Sequence, residues 1–369
     1  MVVSTLLVLV QHYKELKTRD LICISVFDGR YSCDVRSFKE DNLIYLKMVI
    51  KQRTLKNSFV IIGKGLHSGL NVTIKFNPAP ENYGYKIRRI DLPNSPTFDA
   101  IAENVVSTER GTVMGSSSIQ IGTIEHALAA LYSCEIDNCL IDVDTPEFPI
   151  MDGSSMPFIR KILETGLLIQ DAKRIYISFP RKRIKVRDDV SGASLILNPS
   201  NSFSVRSNIS FDSVLLKQQE AFLPALSSFI KDFASARTFV FVREIEFLMD
   251  KNLIKGGDLD NAIIIYDQVL EQKKLDRLSD ILHVKRINAN QLGYLMNTPL
   301  RTSDEPARHK LLDIIGDIAL VGYFIKGEII ANRPGHTINN LFAREIRKHI
   351  NVKQEKEMLN TSGFYWSQP

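Results

Sequence analysis

Apolar and polar residues alternate along several stretches in the first half of the chain, and this period predicts β-strands. One stretch covers residues 51–62, and another covers residues 71–76 after a glycine-rich segment with the sequence IGKGLHSG. Glycines between two strands predict a hairpin turn. His67 lies in this turn, where we weigh an exposed loop histidine against a residue of a functional site.

The period changes to that of a helix at residues 124–131, which are rich in Ala and Leu. Thr123 directly precedes them and is the predicted N-cap. Glu125 and His126 then lie in the first turn, where the partial positive charge of a helix N-terminus favours an ionised Glu125. A capping acid and a core histidine are the ordinary interpretation of this pair.

Two further helices are predicted near the end of the chain. Residues 308–317, with the sequence RHKLLDIIGD, have the spacing of a buried helix. Residues 340–349 form the last helix, and Asn339 and Asn340 are its predicted caps. His336 lies before it in a loop bounded by Gly and Pro.

The second half also mixes strands with helices. Predicted strands cover residues 194–197, 203–209, 262–265 and 328–332, and predicted helices cover residues 223–234 and 247–254. Lys326 and Gly327 predict a turn.

Residues 174–187 are dense in Lys and Arg, with apolar residues between the charges. A nucleic-acid-binding strand would also carry stacking aromatic side chains, so we favour a solvated edge strand. We place a domain boundary here. The predicted organisation is an extension (residues 1–47), an N-terminal domain (48–177), a C-terminal domain (178–350) and a tail (351–369).

The mostly apolar stretch at residues 2–10 is too short for a membrane span and lacks the flanking residues of a signal peptide. Residues 1–47 show no sustained period, whereas a strand pattern begins soon after Met48. We therefore interpret Met48 as the functional start and the preceding residues as a loosely attached extension or a start-site artefact.

Composition places the chain among globular proteins, with 369 residues, 44% hydrophobic and 24% charged. The net charge of +5 favours an anionic small molecule and does not demand nucleic acid. The four cysteines have no CxxC spacing, which fits a reducing cytosol. We predict a cytoplasmic protein without a transmembrane segment or a nucleic-acid partner, located near the membrane surface.

Candidate chemistry begins with His309 and Asp313, whose spacing places both side chains on one helical face. A surface hydrogen bond between them is the ordinary alternative. His126 is the best third ligand for a metal, and Glu125 beside it points away as a free base. These residues predict a catalytic Zn²⁺ site with an open position for water.

Amide hydrolysis also requires a proton for the leaving nitrogen and a positive group near the oxyanion. His336 can supply either, oriented by Asp317, which lies one turn beyond Asp313. Lys310 adds a second positive charge, and Thr238 offers a hydroxyl hydrogen bond to the oxyanion. The apolar helix and strand at residues 247–265 can line an acyl tunnel, although ordinary core is favoured from the residues alone.

Seven motifs in order resemble the zinc-dependent UDP-3-O-acyl-N-acetylglucosamine deacetylase family of lipid A biosynthesis. They are IGKGLHSG, TIEHALAAL, DTPEFPIMDGSS, SARTF, KGGDLDNAI, RHKLLDIIGD and GHTINN, spread over residues 51–350. The resemblance implies an α+β fold of two similar domains, each a sheet packed on helices, with the active site between them. It implies an acylated UDP-sugar as substrate.

The resemblance also assigns residues. It implies zinc ligands at His126, His309 and Asp313, a base at Glu125 and an electrostatic partner at His336. Thr238, Lys310 and Asp317 would act around the reacting atoms, with His67 at the edge of the site. The acyl passage would include Phe239, Ile245, Ile254, Gly257 and Ile264.

Some relatives in this family are fused at the C-terminus to a hydroxyacyl-carrier-protein dehydratase. The last residue of this chain is Pro369. We expect no fused dehydratase, so that the protein is either a single-function version or cut short. Two other functions stay open, namely a non-catalytic zinc-stabilised binding protein for an acylated ligand and a zinc amidase with a different substrate.

Overall fold

The computed structural model describes residues 21–27, 30–36, 50–251, 253–281 and 285–362. The chain divides into two compact units, residues 1–50 and residues 51–369. In the first unit β1 (Leu21–Phe27) and β2 (Arg30–Arg36) pair as an antiparallel ladder. Met48 lies outside the described residues, so the interpretation of Met48 as the start stays a prediction.

Seven α-helices lie in the described part of the second unit. They are α1 (Glu125–Ser133), α2 (Met156–Thr165), α3 (Phe229–Asp232), α4 (Val242–Asp250), α5 (Gln272–Ile281), α6 (Glu305–Ala319) and α7 (His336–Ser362). The predicted helix at residues 308–317 lies inside α6. The helix predicted over residues 223–234 is present only as the short α3. None of the described helices has the length and apolar content that crossing a membrane requires.

The first sheet comes from residues 59–143. Its strands are β4 (Phe59–Lys64), β5 (Asn71–Pro78), β6 (Tyr85–Arg89), β7 (Thr97–Asp99) and β11 (Cys139–Val143), in the spatial order β4-β5-β11-β6-β7. Lys64 pairs with Asn71 across an antiparallel ladder, which confirms the predicted hairpin. Inward-facing apolar residues of β5 alternate with more exposed ones, so one face of the sheet packs on the core.

Short strands accompany this sheet. They are β3 (Lys51–Leu55) with β12 (Leu167–Lys173), and β8 (Val105–Ser107), β9 (Val113–Gly115) and β10 (Gln120–Ile121) as a three-stranded sheet. The single strand predicted over residues 51–62 is therefore two strands with a turn between them.

The second sheet contains β14 (Ile184–Arg187), β15 (Ser194–Asn198), β21 (Phe324–Asn332), β16 (Phe203–Ser210) and β17 (Gln218–Leu223) in that order, and β13 (Tyr176–Ser178) also pairs with β21. The basic strand β14 lies at the edge, as predicted. The turn predicted at Lys326 and Gly327 is wrong, because both residues lie inside β21. A side chain at Gly327 would be strained, since its φ is 154° and an added Cβ would lie 3.0 Å from the carbonyl oxygen of Asn198.

A small sheet of β18 (Phe239–Phe241), β19 (Ile263–Tyr266) and β20 (Gly293–Leu295) packs with α4 and α5 in a second apolar cluster. The larger core joins residues of both main sheets to α1 and α6, which are buried along most of their length. The predicted α+β class, with two sheet-rich halves, is confirmed. The boundary between residues 177 and 178 stays a prediction.

Candidate metal and catalytic site

The site forms where α1 packs against α6. An ideal Cβ on Gly316 of α6 would lie 2.1 Å from the carbonyl oxygen of Glu125, a distance that no side chain tolerates. Glycine therefore lets the two helix backbones touch at this point. The contact brings the first turn of α1 beside the face of α6 that carries His309 and Asp313.

Three predicted metal ligands meet at this contact. His126, His309 and Asp313 are buried, and one ligand atom from each lies within 4.8 Å of the other two. Nε2 of His309 lies 3.4 Å from Oδ1 of Asp313, and Nε2 of His126 lies 3.8 Å from the same oxygen. Nδ1 of His309 lies 3.0 Å from the carbonyl oxygen of Ala236, and donating to this carbonyl leaves the Nε2 lone pair free for a metal.

The donor set fits a divalent transition metal. Oδ1 of Asp313 is buried without a hydrogen-bond partner, which is rare unless a ligand satisfies such an atom. Burial and the neighbouring His309 lower the pKa of His126 to about 3, and burial lowers the pKa of His309. Burial alone would raise the pKa of Asp313, but Lys310 and the histidines hold it below its usual range. Neutral imidazoles and an ionised carboxylate are the forms that bind a metal.

Glu125 lies beside this cluster and is also buried. Its Oε2 accepts a hydrogen bond of 3.1 Å from the backbone amide of Thr112. Burial, with the carboxylates of Asp317 and Asp313, raises the pKa of Glu125 to about 7 against the opposing effect of His336. A backbone hydrogen bond at the start of the helix favours the ionised form of Glu125, as expected, but the effect of burial on its pKa is larger.

His336 faces Glu125 and the candidate metal ligand Asp313. It is the first residue of α7, so its predicted loop position is wrong. Its Nδ1 lies 3.0 Å from Oδ2 of Asp317, and its Nε2 lies 3.9 Å from Oε1 of Glu125 and 3.8 Å from Oδ2 of Asp313. Burial opposes the charged form, but Asp317, Asp313 and Glu125 raise the pKa of His336 to about 9. These carboxylates favour the protonated form of the ring.

Asn339 and Asn340 do not cap α7 as predicted, because the helix already begins at His336. The side-chain amide of Asn339 donates a 2.9 Å hydrogen bond to Oδ2 of Asp317, and that of Asn340 donates to the carbonyl oxygen of Ala102. Both side chains therefore join α7 to the rest of the unit.

The candidate metal ligands lie in a cavity of about 730 Å³. Its lining also includes Thr238, Lys310 and His336. Lys310 Nζ donates a 2.8 Å hydrogen bond to Oδ2 of Asp313 and lies 5.6 Å from the ring centre of Phe239. Asp317 is fully buried and supports His336 from behind.

A smaller apolar cavity of about 90 Å³ adjoins the first, since Thr238 and Phe239 line both. Its lining includes every residue predicted for substrate binding, namely His67, Phe239, Ile245, Ile254, Gly257 and Ile264. Both ring nitrogens of His67 are buried without a hydrogen-bond partner, so His67 is not an exposed loop histidine. Burial lowers its pKa.

Thr123 does not cap α1, because Ile124 occupies the N-cap position and no side chain caps the helix. Thr123 has a φ of 56°, and its hydroxyl donates a 3.1 Å hydrogen bond to Oε1 of Glu147. Glu147 also accepts from the backbone amides of His67 and Ser68 at 2.8 Å each. This carboxylate ties the glycine-rich turn to the start of α1.

Sequence reasoning missed two residues at the centre of the site, Thr112 and Gly316. Thr112 lies in what looks like an ordinary strand entry, and Gly316 resembles any small residue in an apolar helix. Only the three-dimensional contacts reveal their positions.

The fold and the side chains together define an α+β protein with a buried cluster of two histidines and an aspartate that could hold a metal ion, next to Glu125 and His336. A family model described as LpxC, UDP-3-O-acyl N-acetylglycosamine deacetylase, matches residues 52–283 and 284–348. The chain belongs to this family.

Several relatives share most of the chain. A protein of Porphyromonas gingivalis named bifunctional enzyme LpxC/FabZ is 54% identical over 81% of this chain and 65% of its own length. A protein of the same name from Bacteroides thetaiotaomicron is 51% identical over 83% of this chain and 66% of its own length. A UDP-3-O-acyl-N-acetylglucosamine deacetylase of Psychrobacter cryohalolentis is 38% identical over 83% of this chain and 88% of its own length.

These names contradict one prediction. The chain spans 65% and 66% of the length of the two bifunctional relatives, whose names join a second enzyme to the deacetylase. The expectation of no fused dehydratase is therefore wrong. It rested on the position of Pro369, and the position of a last residue carries no information on domains beyond it.

Proposed function

We propose that the protein hydrolyses the N-acetyl group of UDP-3-O-acyl-N-acetylglucosamine and releases acetate, as a zinc-dependent step of lipid A biosynthesis in the cytoplasm. Membership of the deacetylase family supports this substrate. The observation that carries the proposal is the buried cluster of His126, His309 and Asp313. Glu125 and His336 face each other beside it, with a nearest oxygen-to-nitrogen distance of 3.9 Å.

His126, His309 and Asp313 would hold the zinc. When bound, zinc supplies Lewis-acid polarisation of the attacking water and of the amide carbonyl. The two imidazoles are neutral at working pH because burial lowers their pKa values, so they need not lose a proton before binding.

We assign proton transfer to Glu125 and His336, which lie beside the candidate metal ligands. Glu125 accepts a proton from water as the oxygen attacks the acetyl carbon, and its pKa of about 7 suits a general base near neutral pH. His336, held by Asp317 through Nδ1, presents the Nε2 proton to the oxyanion or the leaving nitrogen. The C–N bond breaks as the nitrogen gains a proton, giving acetate and a free amine.

The apolar cavity supports an acylated substrate. Its lining by Ile245, Ile254 and Ile264 would bury part of a hydrocarbon chain, at roughly 0.8 kcal/mol for each methylene. A zinc amidase acting on a peptide has no evident use for such a cavity. Thr238 lines both this cavity and the larger one, and we assign its hydroxyl as a hydrogen-bond donor to the reacting carbonyl.

Acetate release from the UDP-sugar by the zinc-loaded protein tests this function. Glu125→Ala and His336→Ala should retain the far-UV circular dichroism of the native protein and lose turnover by about 10²-fold or more. Lys161→Ala, which changes an exposed ion pair, is the control and should retain full turnover. Wild-type turnover by both active-site variants would refute the assignment.

Zinc removal separates catalysis from a purely structural role. A chelator should abolish turnover reversibly while the core of both sheets stays folded. Unfolding on chelation, with no turnover before it, would instead indicate a zinc-stabilised binding protein.

A further inference from the structure

Thr112 lies between the two groups assigned to proton transfer. It is fully buried and directly precedes β9. Its backbone amide donates to Oε2 of Glu125 at 3.1 Å, and its hydroxyl donates to Oδ1 of Asp317. The same hydroxyl oxygen lies 3.2 Å from Nδ1 of His336. One residue thus contacts the base, the imidazolium and the carboxylate that orients it.

The carboxylate of Asp317 has a partner on each oxygen. Oδ1 accepts from Thr112, and Oδ2 accepts from His336 at 3.0 Å and from Asn339 at 2.9 Å. Because donors contact both oxygens, the plane of the Asp317 carboxylate has a fixed orientation. This orientation sets the direction of the Nδ1–H bond of His336. Since the imidazole is rigid, this also sets the direction of Nε2 toward Glu125 and Asp313.

The loop before β9 is shaped for these contacts. Arg110 has a φ of 64°, so the chain turns sharply two residues before Thr112. A Cβ at Gly111 would lie 3.2 Å from Oε1 of Glu125, which leaves little room for a larger residue. Because this loop approaches Glu125, the amide of Thr112 reaches Glu125 and its hydroxyl reaches Asp317.

We infer that Thr112 is a positioning residue whose hydroxyl fixes Asp317 and, through it, the direction of the His336 Nε2 proton. This inference rests on the proposed deacetylation and deepens it. The backbone amide of Thr112 holds Glu125 independently of the side chain. Substitution of the side chain therefore tests the hydroxyl alone.

Thr112→Val keeps the shape and the backbone amide and removes the hydroxyl. Because the hydroxyl donates to a charged carboxylate, its loss should lower kcat about tenfold or more with little change in KM. Thr112→Ser restores a hydroxyl and should recover turnover to within about threefold of wild type. Equal turnover of the Val variant and wild type would overturn the inference.

The Asp317→Ala background shows whether Thr112 acts through Asp317. There the hydroxyl has no carboxylate to hold, so adding Thr112→Val should change kcat less than about twofold. A tenfold loss in both backgrounds would mean that Thr112 acts by packing or by its own contact with Nδ1 of His336, and the inference would fail.

A measurement without substrate completes the test. In ¹⁵N-histidine NMR spectra of the zinc-loaded protein, the Nδ1 proton of His336 should exchange with water faster in Thr112→Val than in wild type or Thr112→Ser. Unchanged exchange would contradict the positioning role. If wild type releases no acetate, the proposed function fails, whereas the exchange rates still decide whether Thr112 holds the Asp317–His336 pair.

Discussion

Gly316 of α6 lies directly against the backbone carbonyl of Glu125 in α1. A Cβ on Gly316 would also lie 2.8 Å from the carbonyl carbon and 3.0 Å from the Cα of Glu125. All three atoms belong to backbone, which cannot rotate away as a side chain can. The separation of the two helices, and with it the distance from Glu125 and His126 to the ligands on α6, depends on the missing side chain.

Gly316→Ala should therefore destabilise the protein, although Ala in place of Gly inside a helix ordinarily stabilises by roughly 0.5–1 kcal/mol. Overpacking at the helix contact should lower the free energy of unfolding by about 1–3 kcal/mol and reduce zinc affinity. Urea denaturation and zinc titration measure the two effects. Gly293→Ala is the matched control, because no atom lies within 4 Å of its added Cβ. Unchanged stability and zinc affinity in Gly316→Ala would contradict this account.

The pH dependence of kcat/KM follows from Glu125 and His336. Turnover needs an ionised Glu125, whose pKa is about 7, and a protonated His336, whose pKa is about 9. Activity should thus fall on both sides of a maximum. A bound cation favours the carboxylate and disfavours the imidazolium, so both limbs shift to lower pH in the zinc-loaded enzyme.

Asp317→Asn should move the basic limb further down, because it removes a negative charge 3.0 Å from His336. Losing an opposite charge this close lowers a pKa by about one unit or more. Asp171→Asn removes a carboxylate that is exposed and serves as the control. The measurement is the pH profile of kcat/KM for wild type, Asp317→Asn and Asp171→Asn. A basic limb that does not move in Asp317→Asn would exclude Asp317 as the source of the raised pKa of His336.

The sequence predicts much of this site because periodicity places side chains on faces. The spacing of His309, Asp313 and Asp317 sets all three on one side of α6, and the pair Glu125 and His126 marks the first turn of α1. The pairing of these two segments began as a hypothesis from residue types, with His126 as the third ligand, and the motif resemblance implied the same pairing. No local pattern reports that α1 and α6 touch.

Other features depend on contacts between distant residues and escaped prediction for that reason. Thr123 pairs with Glu147 in place of an amide of its own helix. His336, whose partner Asp317 was predicted, starts α7 and does not lie in the preceding loop. The Lys326–Gly327 pair resembles a turn locally, yet Lys326 pairs with β13 and Gly327 pairs with β16. In each case the long-range partner decides between two locally acceptable conformations.

Ala262 and Ile264 both line the small apolar cavity. A larger side chain at position 262 tests whether this cavity binds an acyl chain. Ala262→Leu adds three carbons to a space of about 90 Å³ and should obstruct it. We expect kcat/KM to fall by about tenfold or more for a long-chain substrate and by much less for a short-chain one. Steady-state kinetics with two chain lengths provide an internal control, and equal losses for both would argue against acyl binding in this cavity.

The beginning of α6 is held by a buried ion pair. Arg237 is fully buried, and its Nε donates to Oε1 of Glu305 at 2.9 Å while its Nη2 donates to Oε2 at 3.1 Å. Glu305 also accepts from the backbone amides of Arg237 and Arg301. Since Glu305 opens the helix of His309 and Asp313, and Arg237 precedes Thr238, the pair joins the two segments that border the reacting atoms.

Glu305→Ala should lower the free energy of unfolding by about 3–5 kcal/mol, because it leaves the Arg237 guanidinium buried without a counter-charge. Lys161→Ala breaks an ion pair whose side chains are 49% and 61% exposed, and it should cost about 0.5 kcal/mol or less. Urea denaturation of both variants at one pH gives the comparison. The double variant Arg237→Met/Glu305→Leu removes both charges and should recover much of the lost stability. Similar stabilities for Glu305→Ala and Lys161→Ala would mean that water reaches Arg237 and that the ion pair does not anchor α6.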